Sequence, residues 1–347
     1  MVPARVSVSV SRQRKLVNRT LPMNRPIQVS TAAAAVALLL CLGACASPAP
    51  SESRSAGPAP STGAFPLTLE NCGLTIKLDA APKRVVATSL PALETAVAVG
   101  AADRIVGTAG VIDSLLPQYR EQATSLKVIS PGGFPPPSKE AVLGADPDFV
   151  IAGYEFDFNP NALGDRAALA TSGLQSYLSA GECAAKPTVD DAMADVRNYG
   201  KLFGAEAKAD ELARQIQQQV DSAPRTTGKP KVLVIMGQPS KPAINHNPLS
   251  HDLLARLGAL DALPDQKQSG EVSWEAIIAA KPDAIVISSI ASSPADKTIE
   301  WIKKYRPAAS IPAVKNDRFI VVPSNDLMPG VRTGEAIQKL AAGLKGL

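Results

Sequence analysis

Two Rossmann-like α/β lobes with a ligand cleft between them are what this 347-residue sequence predicts, on three observations. The stretch Ser138-Lys139-Glu140-Ala141-Val142, closed by Asp146-Pro147-Asp148, returns as Ser273-Trp274-Glu275-Ala276-Ile277, closed by Lys281-Pro282-Asp283. Each copy runs into an apolar strand, Phe149 to Ala152 and Ala284 to Ser288. Second, Val85-Val86-Ala87-Thr88 leads to Gly100-Ala101-Ala102-Asp103 much as Val232-Leu233-Val234-Ile235 leads to Gly258-Ala259-Leu260-Asp261. Third, these strands are continuous apolar runs, the pattern of a parallel sheet covered on both faces. One copy of the first motif would be ordinary turn chemistry and dipole complementarity. Two copies in corresponding contexts imply a repeated unit that presents two matched acidic points, Glu140 and Glu275.

Residues 1–44 are excluded from the fold as a signal peptide. Ala32 to Leu42 is an apolar run preceded by Arg25, and it is too short to span a membrane. Leu42-Gly43-Ala44-Cys45 resembles the bacterial lipobox, which would leave Cys45 lipidated at the new N-terminus; Met23 is an alternative start. The leader carries six of the 36 basic residues and none of the 32 acidic ones, so the net charge of +4 becomes −2 on its removal. Nucleic acid is thereby excluded as a partner. Residues 45–64, rich in Ser, Pro, Ala and Gly, form a disordered tether. With Cys41 cleaved away and Cys45 lipidated, Cys72 and Cys183 remain in an oxidising compartment, where one disulfide is the economical reading and two buried free thiols the other.

The first lobe is expected over 65–187. It opens with a hairpin around Asn71-Cys72-Gly73, and strands follow at Arg84–Ser89, Ile105–Thr108, Lys127–Ile129 and Phe149–Ala152, with a helix over Pro91–Val99. Residues 188–228 form the linking helices. Thr188-Val189-Asp190-Asp191 starts one that stops near Gly204, and Ala205–Ser222, with Leu212, Ile216 and Val220 on one face, makes a long inter-lobe helix. The second lobe occupies 229–347 and ends in a helix over Gly334–Leu344. Between the Gly100/Gly258 and Ser138/Ser273 landmarks the first lobe is longer by about one strand and one helix. A helical link without paired flexible strands predicts small opening motions.

Enzyme signatures are absent: the chain has no Gly-x-Ser-x-Gly, no phosphate-binding Gly-rich loop and no Cys-x-x-Cys. His246 and His251, the two histidines, are five apart and do not make a metal pair. Neither catalysis, a metal nor a cofactor is expected. Ligands of open α/β sheets gather outside the carboxyl ends of strands. The loops there point to Ser89 and Leu90, to Tyr154 and Phe156, to Asn245, His246 and Asn247, and to Asp326 and Met328 with Arg332. Structural alternatives are the rings of Tyr154, Phe156 and Phe158 packing as core, Arg332 pairing with a neighbouring acid, and Asn245, His246 and Asn247 serving turn and capping chemistry.

Lobe order, lipobox, the Arg84-Val85-Val86 start, Leu93-Glu94-Thr95 before Gly100 and the two Glu-Ala helices with their Pro-Asp strands resemble the iron-siderophore and vitamin B12 family of ABC-importer substrate-binding lipoproteins, of the class III periplasmic-binding type. The resemblance covers about Leu67 to Leu344. It implies a monomeric extracytoplasmic receptor, anchored to the membrane through lipid, in which Glu140 and Glu275 pair with permease arginines. Asn71-Cys72-Gly73 with Cys183 is similar to a subset common in actinobacteria, and there the resemblance allows iron chelates, haem, corrinoids or a deazaflavin-cofactor precursor. The same fold without an importer would be a ligand-sensing surface protein. The chain departs from the family in its cleft: Gly110-Val111-Ile112 stands where a tyrosine is expected, with Phe134 as a partial substitute, and aromatics are 4% of residues.

Overall fold

The computed structural model describes residues 65–110, 112–131, 135–184, 186–244, 248–264, 270–290 and 293–347. The leader, Cys45, the tether, Phe134 and Asn245-His246-Asn247 therefore lie outside the described residues. Among the described residues no helix is long and apolar enough to cross a membrane.

A hairpin of β1 (Leu67–Asn71) and β2 (Leu74–Leu78) comes first. Its two turn residues, Cys72 (φ 51°) and Gly73 (φ 77°), both lie in the left-handed region, the twist that suits a two-residue hairpin loop. The first lobe then runs β3 (Val85–Ala87), α1 (Leu90–Ala98), β4 (Ile105–Ala109), α2 (Pro117–Ala123), β5 (Val128–Ser130), α3 (Lys139–Leu143), β6 (Phe149–Ala152), α4 (Arg166–Thr171), β7 (Gln175–Leu178) and α5 (Ala180–Cys183). Its five strands are parallel in the order β5-β4-β3-β6-β7. The elements α2 and β5 supply the extra helix and strand that the register arithmetic requires.

Two amide side chains join the hairpin to β7. Asn71 donates to the Leu178 carbonyl and accepts from the Leu178 N–H, both at 2.8 Å, and Gln175 does the same for Lys77 at 2.7 and 2.9 Å. Each amide imitates a strand neighbour. Cys72 is bonded to Cys183 at the end of α5, so the hairpin is also held covalently.

Two helices follow, α6 (Val189–Phe203) and α7 (Glu206–Asp221). Thr188 and Asp191 form a reciprocal capping box at the start of α6, and Gly204, at φ 67°, ends it in the left-handed conformation that a side chain would strain. The chain turns there, and α7 packs beside α6, with Arg197 donating to Asp210 at 3.2 Å. The second lobe comprises β8 (Lys231–Met236), β9 (Ala243–Ile244), α8 (Pro248–Arg256), β10 (Leu260–Asp261), β11 (Gly270–Glu271), α9 (Trp274–Ala280), β12 (Ala284–Ser289), α10 (Ala295–Lys304), α11 (Pro312–Lys315), β13 (Phe319–Pro323) and α12 (Thr333–Gly343). Strands β8, β12 and β13 are its parallel centre, with β10 parallel to the start of β8 and β9 antiparallel to its end.

The sequence repeat is a structural repeat at three levels. Ser138 and Ser273 each cap their helix by accepting the N–H three residues on, at 3.2 Å in both. Asp146 (φ 52°) and Lys281 (φ 51°) take the same left-handed conformation before their prolines. Asp148 then accepts the Arg84 N–H at 2.9 Å and Asp283 the Lys231 N–H at 2.8 Å, so each Pro-Asp fixes the start of the neighbouring central strand.

Strand residues alternate between two cores, as a period of two demands. Val85, Ala87, Phe149 and Ile151 of the first sheet share one buried cluster with Val232, Ala284 and Val286 of the second and with α1, α6, α7 and α12. Val86 and Val150 face an outer cluster of the first lobe, while Leu233, Ile285 and Ile287 face that of the second. The inner core is therefore common to both lobes. Since a fully buried aliphatic side chain stabilises by about 1.5–3 kcal/mol, prying the lobes apart would expose a large favourable term.

Cys72→Ser with Cys183→Ser, or reduction of the native protein, should lower the unfolding free energy by about 2–5 kcal/mol, because the bond closes a loop of 111 residues. Chemical denaturation with and without reductant measures this, and an unchanged midpoint would mean the hairpin is held by its amides alone.

Candidate ligand cleft and its flanking surfaces

The segment after β13 crosses to the first lobe and forms the floor between the lobes. Gly181 of α5 lies against Pro329, where a Cβ would come within 2.2 Å of the proline ring, and Gly330 approaches Thr95 of α1. At the centre is Arg332. Its guanidinium makes a two-pronged pair with the Glu94 carboxylate of α1, with Nη2 at 2.8 Å from Oε1 and Nε on Oε2. Nη2 also donates to the Ser114 carbonyl at 2.6 Å, and Nη1 to Asp326 at 2.8 Å. Asp326 receives Lys339 of α12 at 2.5 Å, and Glu94 accepts the Leu116 N–H at 2.6 Å. Burial alone would lower the Arg332 pKa, but Glu94 and Asp326 outweigh it and hold the group above its ordinary value. Glu94 and Asp326 are almost wholly buried.

Of the alternatives the sequence leaves open for Arg332, pairing with acids is the one it adopts, and Asp326 is one of those acids. Both sit under the cleft, where they fix the lobes to each other. Glu94 escaped the sequence reading as a site residue, although an acid in the otherwise apolar Leu90–Ala98 helix is the signal that could have found it.

The aromatic loop after β6 divides its rings. Phe158 packs on the outer core of the first lobe with the Arg166 guanidinium 5.4 Å from its centroid. Tyr154 and Phe156 stack on each other with centroids 4.8 Å apart, Tyr154 half-buried and Phe156 exposed. Asp157, the next residue, is buried and accepts the Thr88 hydroxyl at 2.6 Å. Burial pushes the Asp157 carboxyl up to about 7 and the Tyr154 phenol up to about 12. Beneath the loop, Asp195 of α6 accepts the Tyr177 hydroxyl at 2.6 Å, the Ser179 hydroxyl at 3.0 Å and the Ala180 N–H at 2.8 Å, and burial lifts it to about 6. Ser89 and Leu90, buried at the start of α1, border the same loop through Gly153. Met328 lines a narrow crevice with Pro91, Thr95 and Arg332. The structure thus brings Ser89, Leu90 and Tyr154 together at the ends of β3 and β6, with Phe156 stacked on Tyr154. Met328 lies on the floor segment across from α1.

On the outer surface, Glu140 and Glu275 are both exposed in the first turn of their helices. The Glu140 N–H and the Ser138 hydroxyl hold the Glu140 carboxylate below its usual range. Behind Glu275, Trp274 is buried, donates its indole N–H to the Pro239 carbonyl at 3.0 Å and packs against Trp301 and Tyr305. Both tryptophans are thus structural supports on the flank. His251 of α8 lies 3.4 Å from Asp261 of β10.

These features define a bilobal binding protein, and comparison with known proteins agrees. The chain belongs to the periplasmic binding protein family, whose model matches residues 85–325. YvrC, a substrate-binding lipoprotein of an ABC transporter from Bacillus subtilis, is 24% identical over 301 residues, 82% of this chain and 87% of that protein. A cobalamin-binding protein from Halobacterium salinarum is 26% identical over 248 residues, 68% of this chain and 62% of that protein. The crystal structure of an ABC-type Fe3+-hydroxamate transport system from Saccharomonospora viridis superimposes with a TM-score of 0.69 at 20% identity, over 82% of this chain and all of that one.

Arg332→Met should destabilise the protein by about 3–5 kcal/mol, because it leaves Glu94 and Asp326 buried without their partner. Adding Glu94→Leu should recover part of that loss, and equilibrium denaturation of the single and double variants tests it. Strictly additive losses would show that the two groups do not act as a unit.

Proposed function

We propose that this chain is the extracytoplasmic receptor of an ABC importer, held to the outer face of the cell membrane by lipid on Cys45. It captures one large small-molecule ligand, an iron-siderophore-type chelate or a haem, corrinoid or deazaflavin-cofactor precursor of similar bulk, and hands it to the permease without chemistry. The observation that carries this reading is the pair of exposed glutamates, Glu140 and Glu275, set by identical serine caps on two lobes that share one core. Two carboxylates at a fixed separation give register and orientation on a basic partner while leaving release easy. Supporting it are the family match and the names of the relatives.

In this reading the ligand rests above the Arg332 floor. Ser89, Leu90, Phe134, Tyr154 and Phe156 contact it from the first lobe, and Asn245, His246, Asn247 and Met328 from the second. Asp326 and Arg332 act beneath it by holding the lobes in place. Aromatic faces at Tyr154 and Phe156 suit a flat or aryl-bearing ligand. A continuous inner core implies a cleft that is largely preformed.

Cys45→Ser should move the protein from the membrane fraction to the soluble extracytoplasmic fraction, as followed by immunoblot. Retention in membranes would remove the lipid anchor from this account.

Glu140→Arg with Glu275→Arg should leave ligand affinity nearly unchanged and reduce uptake to near background, whereas Tyr154→Ala should weaken binding of the same ligand with little loss of melting temperature. Titration calorimetry on a panel of iron chelates, corrinoids and haem, paired with uptake by cells carrying each variant, measures both. Normal uptake by the double glutamate variant would make the two residues helix-start features only.

A further inference from the structure

The aromatic loop after β6 is held at its outer end by a residue of another element. Residues Glu155–Phe158 make one turn of 3-10 helix, whose first internal bond runs from the Asp157 N–H to the Tyr154 carbonyl at 3.2 Å. The Glu155 N–H lies ahead of that bond and has no acceptor within the turn. Glu182 of α5 supplies one, accepting it at 2.9 Å through Oε2. Tyr154 and Phe156, the stacked pair, therefore stand on either side of this anchor, and Asp157 gives a second, inner one at Thr88. Helix α5 is itself fixed from three sides. The Ala180 N–H bonds to Asp195 of α6, Gly181 lies against Pro329 of the floor segment, and Cys183 is bonded to Cys72 of the hairpin. A carboxylate is a costly choice at position 182, because burial, and with it the Glu155 carboxylate, hold it above its usual range against the pull of the N–H. Tyr154, Glu155 and Asp157 are the titratable groups that face it, and no cation pairs with it among the described residues. A half-buried acid kept for one amide of a neighbouring loop points to a role outside the stability of its own helix.

We infer that Glu182 is a positioning residue of the cleft: by fixing the Glu155 N–H to α5 it holds the Tyr154–Phe156 stack in one orientation at the ends of β6 and β7 before a ligand arrives. A ring pair ordered in advance loses less freedom on binding, and it favours a flat or aryl-bearing face over a globular ligand of equal size. This rests on the receptor reading and deepens it, since the selecting surface is set by α5 and not by the ligand.

The test uses the exported protein labelled with 15N and 13C. Glu182→Ala should speed exchange of the Glu155 amide with solvent roughly tenfold, the size of one lost hydrogen bond to a carboxylate, and should remove the nuclear Overhauser contacts between the Tyr154 and Phe156 rings. Glu182→Gln retains an acceptor oxygen and should keep both the slow amide and the ring contacts. In that variant the Asp157 carboxyl, at about 7 in the wild type, should titrate at lower pH because a like charge facing it is gone. An unchanged amide or unchanged ring contacts in Glu182→Ala overturn the inference, as does their loss in Glu182→Gln. If Glu182→Ala does not fold, the Asp157 titration in Glu182→Gln decides, and an unmoved midpoint overturns it. Haem, ferrioxamine B and cyanocobalamin are then titrated onto each protein. Any that binds the wild type should bind Glu182→Ala roughly three- to tenfold more weakly and Glu182→Gln about equally, and equal binding to all three proteins overturns the positioning role while leaving the receptor reading intact. If none binds the wild type while the amide and ring responses appear, the ligand class proposed above has failed and the positioning of the loop stands.

Discussion

One guanidinium, that of Arg332, grips oxygens from both lobes at once, and the geometry of the cleft follows from it. Glu94 and Ser114 belong to the first lobe and Asp326 to the second, so the fork of the arginine sets their distance in three directions. A planar five-donor group is suited to this in a way a lysine is not. Such a buried network adds little stability over a well-packed apolar substitute, but it permits one arrangement and penalises the others. Together with the inner core common to both sheets, it ties the two lobes into one packed body.

How far the sequence discloses this depends on the range of each interaction. The duplicated motif is legible because its consequences are local: Ser138 and Ser273 bond three residues ahead, and Asp146 and Lys281 turn the chain where they stand. The central strands β6 and β12 are legible because burial on both faces leaves an unbroken apolar run. By contrast, Glu94 and Arg332 are 238 residues apart, and nothing local says that they meet. Strand β7 hides because Gln175 and Ser176 spend their polarity on the hairpin and on Arg166, which a hydrophobic pattern cannot register. The two-residue strands β9, β10 and β11 are too short to carry a period. The aromatic rings after β6 stand at alternate positions, so a period of two puts all three on one face and cannot separate Phe158, which packs on the outer core, from Tyr154 and Phe156, which stack on each other.

The lobes are alike in plan and unequal in support. Val142 and Ile277, equivalent in the repeat, are both fully buried under their helices, yet α9 is backed by Trp274, Trp301 and Tyr305 whereas α3 has a smaller aliphatic base. Both glutamates nonetheless stand in the same local geometry, because the serine cap sets it and the packing beneath only carries the helix. Divergence of the two cores is thereby compatible with preservation of the two surface points.

The hairpin spliced onto β7 has a further consequence for a chain that must fold after export, in a crowded space without cytosolic chaperones. The rim of a parallel sheet is a row of unsatisfied amides and carbonyls, a template on which another molecule can add a strand. Here the Asn71 side chain takes the Leu178 N–H and carbonyl and Arg166 the Ser176 carbonyl, while Gln175 reaches from β7 to the Lys77 backbone of the hairpin, and the bonded sulfurs keep the cover in place. Side-chain amides end the ladder, since they offer no backbone for the next strand to continue. The opposite rim, β5, is only three residues long and offers little to build on. Both borders of the first sheet are thus poor templates for strand addition by another copy.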